Sequence, residues 1–365
     1  MAHVVFVRSP IAHANVTSVD VSAATSMPGV VGVYHAGGDD LGIPSLQGFA
    51  MMPDTLNRPV FAGDKVRFVG DIVAAVVADT RAQAIDAAEA VVVDYDPLPS
   101  VLTAAQALAP DAPLLFPAHG SNVCFGTQFP EGDDSDPIAG AAAVGEVTMV
   151  SQRLAGVPME TNGILAVPTE KGLTLWVSHQ APHSAHGAYA PLLGLEPENL
   201  RVVCPWVGGG FGPKAATYVE HLVAGAAALK LGRPVKWIAS RSEDMVSLVQ
   251  GRDYIMTARL GVGSDGKIVG LDVKVVACAG AYPAIGAILP MLTQMMAVGV
   301  YNIPKVRSNA VMALTNNTTI GAYRGAGRPE ATQLIERVLD VAAHEIGMPS
   351  TDSTAPIGSI VRSPV

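Results

Sequence analysis

Val207-Gly208-Gly209-Gly210-Phe211-Gly212-Pro213-Lys214 is a glycine run between two apolar segments of different period, and the division of the chain turns on it. Residues 201–207 are short and valine-rich, which predicts a strand. Across residues 215–230, Val219, Leu222, Val223, Ala226 and Leu229 recur on one helical face. Gly232 and Pro234 then act as stop signals, because glycine accepts a left-handed cap and proline cannot extend the hydrogen-bond ladder. Between strand and helix, glycines let backbone N–H groups approach a ligand, and a helix N-terminus adds donors and positive dipole. Such a loop suits an anion or a pterin edge. The dipole is worth only about 0.3–1 kcal/mol per charge, so tight binding needs several charge-assisted hydrogen bonds of about 1.5–3 kcal/mol each. Two other readings share the pattern. One is the dinucleotide fingerprint, although Pro213 stands where its third glycine belongs and Gly232 where an acid would hold ribose. The other is a glycine turn that only packs a helix on a sheet.

A second loop of the same kind is Ile320-Gly321-Ala322-Tyr323-Arg324-Gly325-Ala326-Gly327-Arg328-Pro329-Glu330. It opens a helix expected over residues 331–346, where Leu334, Ile335, Val338, Leu339, Ala342 and Ile346 share a face and Pro329 suits the first turn. Arg324 and Arg328 are its cations, and arginine is the favoured fork for an oxyanion or phosphate. Two such loops can converge on one polar ligand; a surface turn with incidental arginines is the plain alternative. Gln180 follows an apolar strand expected over residues 173–178, where a loop can aim an amide at a ligand or tie down its own backbone. His179, His183 and His186 invite a metal reading, but Pro182 interrupts the continuous helix that would put imidazoles on one face.

At 365 residues the chain can bury a large core and holds two or more domains by the usual length of about 100–200 residues each. Its 49% hydrophobic content is globular rather than disordered. A formal charge of −9 without a basic cluster argues against nucleic acid or an anionic membrane as partner. Cys124, Cys204 and Cys278 lie far apart, with no CxxC pair for zinc or an iron–sulfur cluster, and read as buried free thiols. The chain opens on a strand pattern without a basic start and apolar signal core, which points to a reducing cytoplasm. Residues 275–304 are uncharged and long enough to span a bilayer. Gly280, Pro283, Gly286, Pro290 and Gly299 break them, so a buried, irregular wall is expected in place of a membrane span.

The overall pattern predicts an α+β fold. Strands are expected at residues 4–7, 16–21, 30–34 and 91–95, a hairpin through Gly70-Asp71 joins 66–69 to 72–78, and a helix capped at Asp79 or Thr80 covers 80–90. Residues 102–143 are rich in Ala, Pro, Gly and Asp and read as a linker; their acidic run lacks calcium-loop spacing and reads as solvated. A second domain is expected over 144–347, with strands at 163–167, 173–178 and 235–239 and a hairpin of 255–260 and 268–277 turning at Gly263-Ser264-Asp265-Gly266.

Taken together, Phe6-Val7-Arg8-Ser9-Pro10-Ile11-Ala12-His13-Ala14, Met27-Pro28-Gly29-Val30, Pro158-Met159-Glu160, the stretch from Leu175 to His183, the two glycine loops, Leu231-Gly232-Arg233-Pro234-Val235 and Arg241-Ser242-Glu243-Asp244-Met245 resemble one known family. This is the large, molybdenum-binding subunit of the xanthine oxidase family of molybdenum hydroxylases, which includes aldehyde oxidoreductases and aerobic carbon monoxide dehydrogenases. The resemblance covers residues 1 to about 347. It implies an α/β hammerhead domain over 1–101 and the family's first molybdopterin-binding domain over 144–347. It further implies molybdopterin, as its cytosine dinucleotide, carrying Mo. Gly209, Gly210, Phe211 and Gly212 inherit the loop along the pterin, Gln180 the amide that hydrogen-bonds a metal oxo group, and Tyr323-Arg324-Gly325 the loop beside the metal. The implied reaction hydroxylates an aldehyde or N-heterocycle with oxygen from water. Electrons then leave through iron–sulfur and FAD subunits of a heterotrimer that can itself dimerise.

Three departures limit the carry-over. Copper-containing carbon monoxide dehydrogenases place a cysteine where Arg324-Gly325-Ala326 stands, and a thiolate is needed to hold Cu(I), so no copper site is expected. The loop resembles the second, non-copper group often named after that enzyme. Ala215 and Ala326 replace the acid and the aromatic of xanthine-type enzymes. The family's second molybdopterin domain, with the glutamate that serves as general base, does not follow, and residues 348–365 read as a disordered, non-family tail. The chain is therefore expected to be C-terminally truncated and inactive alone, or else a non-catalytic remnant that binds cofactor or docks subunits. No acid in it has a motif-backed claim to be the base; Glu160 and Glu243 are the nearest guesses.

Overall fold

The valine alternation that opens the chain becomes β1 (Ala2–Arg8) and β2 (Ala14–Asp20) in the computed structural model, which describes residues 1–39, 41–48 and 52–347. After them come α1 (Ser22–Thr25), β3 (Val30–His35), β4 (Lys65–Val66), β5 (Ile72–Ala78), α2 (Arg81–Glu89) and β6 (Val92–Pro97). Thr80 caps α2 with a reciprocal box: its side chain accepts from the Gln83 N–H while the Gln83 amide oxygen accepts from the Thr80 N–H. β5 is buried along its whole length, with β1 on one edge and β3 on the other. This corrects the hairpin expected through Gly70-Asp71. A strand has only two edges, so β4 pairs with β2 in a separate sheet ordered β4-β2-β6. Asp71 meanwhile turns inward, where its carboxylate accepts from the Arg67 N–H and the Tyr282 hydroxyl.

From α3 (Ala104–Ala107) the chain runs through β7 (Val123–Phe129), β8 (Ala143–Ser151), β9 (Leu154–Ala155), β10 (Gly163–Pro168), β11 (Leu173–Val177) and α4 (Pro182–Leu192). β12 (Leu200–Val203), α5 (Val219–Leu231), β13 (Val235–Ile238), α6 (Arg241–Ser247) and β14 (Gln250–Gly251) follow. The remainder is β15 (Tyr254–Val262), β16 (Ile268–Gly280), α7 (Leu289–Met295), β17 (Val306–Leu314) and α8 (Arg328–Glu345). The hairpin expected at Gly263-Ser264-Asp265-Gly266 is the antiparallel pair β15–β16, inside a sheet ordered β7-β17-β16-β15-β8. Residues 102–143, read as a linker, are thus built into the fold. β7 lies on β17, and Leu115 and Phe116 are buried in the core. The acidic stretch 130–136 is exposed throughout. A strand whose partner is so remote in sequence leaves no local trace in composition.

The second large sheet is ordered β12-β11-β10-β13-β1-β5-β3. Its β1–β13 pair is parallel and ties the opening unit to the later one by backbone bonds, beginning with Ala2 N–H to the Pro234 carbonyl at 2.7 Å. Arg8 pins the same seam, reaching Glu220 at 2.9 Å and Glu243 at 3.1 Å. Helix α5, buried on nearly every side, packs on β10, β11 and β13. Helix α8 is amphipathic and lays Leu334, Ile335, Val338 and Ala342 into the core beside β8 and β15. Among the described residues no helix is long and apolar enough to cross a membrane; residues 275–304 hold the end of β16 and α7. The expected tail, 348–365, lies outside the described residues.

Candidate cofactor-binding site

β12 ends at Val203 and α5 begins only at Val219, so the glycine run closes in a single 3-10 turn, Pro213–Ala215. The helix expected from residue 215 is corrected accordingly. Tyr218 stands at the N-cap of α5 without a side-chain cap bond, its hydroxyl donating instead to the Pro213 carbonyl at 2.8 Å; the helix N-terminus opens inside the protein, with Glu220 buried in its first turn. What the loop offers a ligand is therefore its own amides. Gly209 (φ 99°), Phe211 (φ 55°) and Gly212 (φ 107°) hold left-handed backbone, which residues other than glycine seldom adopt. Glu160 takes the Gly208 N–H and Gln180 the Gly212 N–H; those of Gly209, Gly210 and Phe211 meet no acceptor among the described residues.

Lys214 anchors this loop. Its ammonium is 0% exposed and donates to both the main-chain carbonyl and the carboxylate of Glu160, at 2.8 Å each. The same carboxylate oxygen accepts from Ser178 Oγ at 2.6 Å and Gly208 N–H at 2.7 Å. Burial pushes the Glu160 pKa up, but the bonds from Lys214, Ser178 and Gly208 together outweigh it and hold the group below the usual carboxylate range. A carboxylate occupied in this way is a poor proton acceptor. Glu243, the other guessed base, is engaged as well, by Arg8 and by the Ser240 N–H.

Gln180 sits where the two loops meet. Its N–H donates to the Lys214 carbonyl and its Oε1 accepts from the Gly212 N–H, both at 2.9 Å. That fixes which end of the amide faces the protein and leaves Nε2 as an exposed donor with no acceptor among the described residues. A side chain at Gly210 would overlap Oε1. The second loop closes on the first: Arg324 N–H donates to the Phe211 carbonyl at 2.9 Å, and Gly212 lies so close to the Ala322 carbonyl that a Cβ would collide with it. Tyr323 is half-buried, Arg324 and Gly325 are exposed on the same rim, and Gly327 in left-handed conformation caps α8 with Pro329 in its first turn. The sequence-selected residues Gln180, Gly209, Gly210, Phe211, Gly212, Tyr323, Arg324 and Gly325 thus form one surface. The three imidazoles do not join it as a ligand set: His179 bonds the Ala216 carbonyl and Ala181 N–H, while His186 faces the Pro197 and Leu200 carbonyls. No group of three or more His, Cys, Asp or Glu able to hold a metal occurs among the described residues.

Sequence reasoning missed the supports beneath this surface. Glu160, Ser178 and Lys214 come from three separate segments and meet only in space. Arg252, in left-handed conformation (φ 66°), was also passed over. Its guanidinium donates to the carbonyls of Tyr323 (3.2 Å) and Arg324 (2.8 Å) and pairs with Glu330 at 3.0 Å. The glycine at 251 was the available signal, since a Cβ there would strike Tyr323.

Comparison with known proteins agrees with this geometry. Residues 115–353 match the molybdopterin cofactor-binding domain, and residues 1–99 match the hammerhead domain of aldehyde oxidase and xanthine dehydrogenase. The carbon monoxide dehydrogenase large chain of Hydrogenophaga pseudoflava is 36% identical, across 97% of this chain and 46% of its own length. The nicotinate dehydrogenase large molybdopterin subunit of Eubacterium barkeri is 30% identical, across 94% of this chain and 79% of its own. Quinoline 2-oxidoreductase from Pseudomonas putida 86 superposes with a TM-score of 0.89 at 31% identity, covering 96% of this chain and 45% of that one. The chain therefore spans about half the length of most of these relatives and over three-quarters of one. A glycine-loop pair with unpaired amides, joined to a hammerhead by a shared sheet and matched along nearly its whole length, places this chain in the xanthine oxidase family of molybdopterin-binding large subunits.

Proposed function

We propose that this chain is the cofactor-holding part of a molybdenum hydroxylase that oxidises an aldehyde or an N-heterocycle, using oxygen from water. The observation that carries the reading is the closure of the two glycine loops on each other with Gln180 at their seam, leaving the N–H groups of Gly209, Gly210 and Phe211 and Gln180 Nε2 without an acceptor among the described residues. Molybdopterin, when bound, supplies a redox-active metal that accepts two electrons from the substrate. The residues present fit it: bare amides and close-packed glycines suit the edge of a flat, polar heterocycle. Gly209 to Gly212 would hold the pterin, as its cytosine dinucleotide. Gln180 Nε2 would donate to the metal-bearing end of the cofactor, and Tyr323-Arg324-Gly325 would flank it.

Substrate class follows from what the second loop lacks. Residues 322–328 contain no cysteine, so nothing there can hold Cu(I). This supports an organic substrate even though carbon monoxide dehydrogenase large chains are among the relatives; a nicotine 6-hydroxylase large subunit and an aldehyde oxidoreductase are relatives too. Glu160 and Glu243 are both engaged, and the family resemblance implies a general base in a second molybdopterin domain, in the portion of the relatives that this chain does not span. Met159 at 92% exposure and Trp206 at 88%, beside the glycine loop, suit a face against which that portion packs. Iron–sulfur and FAD subunits would carry the electrons away.

Protein made in a molybdenum-replete host tests this by metal analysis and pterin fluorescence. Equimolar Mo and pterin is the expected result; neither metal nor pterin would sink it. Dye reduction by aldehydes or N-heterocycles should appear only when the portion of the relatives that this chain does not span is also present. The non-catalytic alternative is favoured by the same engagement of Glu160 and Glu243, and it wins if cofactor is held but no completed assembly turns over. Calorimetric saturation with NAD and no pterin would instead revive the dinucleotide reading.

A further inference from the structure

Arg252 and Asp253 are consecutive non-glycine residues in the left-handed region, at φ 66° and 76°. L-residues avoid that conformation, and strain of this kind persists where surrounding contacts impose it. Here the contacts are specific. Gln250 and Gly251 form β14 against β9, the Gly321 N–H donates to the Gln250 carbonyl at 2.8 Å, and the missing side chain of Gly251 admits Tyr323. Arg252 is thereby delivered beneath the second loop, with its guanidinium 4.9 Å from the Tyr323 ring centre. Its side chain is 11% exposed, and Glu330, at 2% exposure on the first turn of α8, balances its charge. Asp253 is held in turn by Arg153 at 2.7 Å.

The consequence lies in two peptide planes. Arg252 takes the carbonyls of Tyr323 and Arg324 with two different nitrogens, Nη1 and Nη2. In a trans peptide the C=O and the following N–H point in opposite directions. The Tyr323 carbonyl, held by Arg252 and by the Ala326 N–H at 2.8 Å, turns the Arg324 N–H the other way, where it meets the Phe211 carbonyl and seals the loops together. Holding the Arg324 carbonyl turns the Gly325 N–H away from the guanidinium, and that N–H has no acceptor among the described residues. Gly325 itself is exposed and at φ 95°.

We propose that Arg252 is a positioning residue that fixes the 323–324 and 324–325 peptides, so that the Gly325 N–H stands outward as a further donor to the bound cofactor. This rests on the cofactor reading above. Lysine cannot replace it, because a single ammonium does not span two carbonyls and a carboxylate with the fixed fork of a guanidinium.

The test follows the Gly325 amide by nuclear magnetic resonance in cofactor-free chain carrying isotope-labelled glycine, with G325A assigning the signal. R252M and R252K are compared with the parent chain, R252K keeping a positive charge opposite Glu330 in case R252M does not fold. The Gly325 signal should move in both variants while remote glycines such as Gly194 stay in place. Pterin retention, measured per folded chain from a molybdenum-replete host, should fall about tenfold, the size of one lost hydrogen bond to a charged or strongly polar group. A Gly325 signal unmoved in R252K overturns the positioning role, and full pterin retention alongside a moved signal overturns the donor role. If the parent chain itself holds no pterin, the cofactor reading fails and the donor role with it, while the resonance arm still decides whether Arg252 orients the peptide.

Discussion

Gly212 combines a left-handed backbone with a neighbour, the Ala322 carbonyl, that occupies the space a Cβ would need. Gly212→Ala should therefore cost at least about 2 kcal/mol by urea denaturation and lower pterin retention with it. Beneath it, Glu160 and Lys214 make a pair with a fully buried ammonium and a carboxylate that is 41% exposed. Glu160→Gln leaves that ammonium without its counter-charge, and a loss of about 2–4 kcal/mol is expected, lower than for a fully buried pair because water reaches the carboxylate. The pH dependence has a definite sign. The folded pKa of Glu160 is depressed, so its contribution is present above the unfolded value and disappears as pH falls through the lower folded one. The stability of Glu160→Gln should consequently converge on that of the parent chain at acid pH, and a constant gap down to about pH 3 would contradict the assignment. None of this pairing was legible in sequence, because the partners sit on separate segments. The glycines were legible, since few other residues tolerate such backbone.

Helix α5 was read correctly in its periodicity and wrongly in its start. The reason is visible at Tyr218 and His221. The Tyr189 hydroxyl bonds His221 Nδ1 at 2.8 Å, the other ring nitrogen faces Asn162 Oδ1 at 2.9 Å, and Asn162 N–H donates to Asp244 Oδ1 at 3.0 Å. This buried chain links α4, α5, the start of β10 and α6, while Tyr218 just before α5 is extended (φ −107°, ψ 133°), its hydroxyl held between the Pro213 carbonyl and the Val249 N–H, so the helix starts only at Val219. Burial above all, with His179 and Lys214 adding to it, pushes the His221 pKa down to about 3. The unfolded chain then takes up a proton near pH 6.5 that the folded one refuses. Stability should fall by about 1.4 kcal/mol per pH unit between roughly pH 6 and 4 from this group alone. Urea unfolding across that range checks it: His221→Gln should have a shallower slope than the parent chain, and identical slopes would remove His221 as the cause. β4 and β5 teach a related lesson. Gly70-Asp71 satisfies a hairpin rule locally, but β1 and β3 had already claimed both edges of β5.

At the scale of the whole molecule, the hammerhead and the cofactor-binding unit share the sheet that runs from β12 to β3. Arg8, whose side chain is 9% exposed, crosses that seam to Glu220 at 1%. Arg8→Met should destabilise the chain by about 3–5 kcal/mol, since it strands a buried carboxylate. It should also divide a single urea transition into two, detected by comparing far-ultraviolet circular dichroism with tryptophan fluorescence; coincident transitions would mean the units are coupled by other contacts. Trp206, by contrast, touches little within the chain. Trp206→Ser should leave stability within about 0.5 kcal/mol, while weakening any packing of a further domain against this face.

Local chemistry in the sequence determined the glycine loops, the helix and strand periods, the cap at Thr80 and the choice of Gln180, because each depends on residues close together along the chain. The same reach explains the resemblance, which rests on short motifs in fixed order. Tertiary structure alone decided that β7 belongs to a sheet and not to a linker, that α5 points its N-terminus inward, and that Glu160, Lys214 and Arg252 hold the loops. Those outcomes depend on which strand edges are already occupied and which buried charges find partners, and both are settled between segments far apart in sequence.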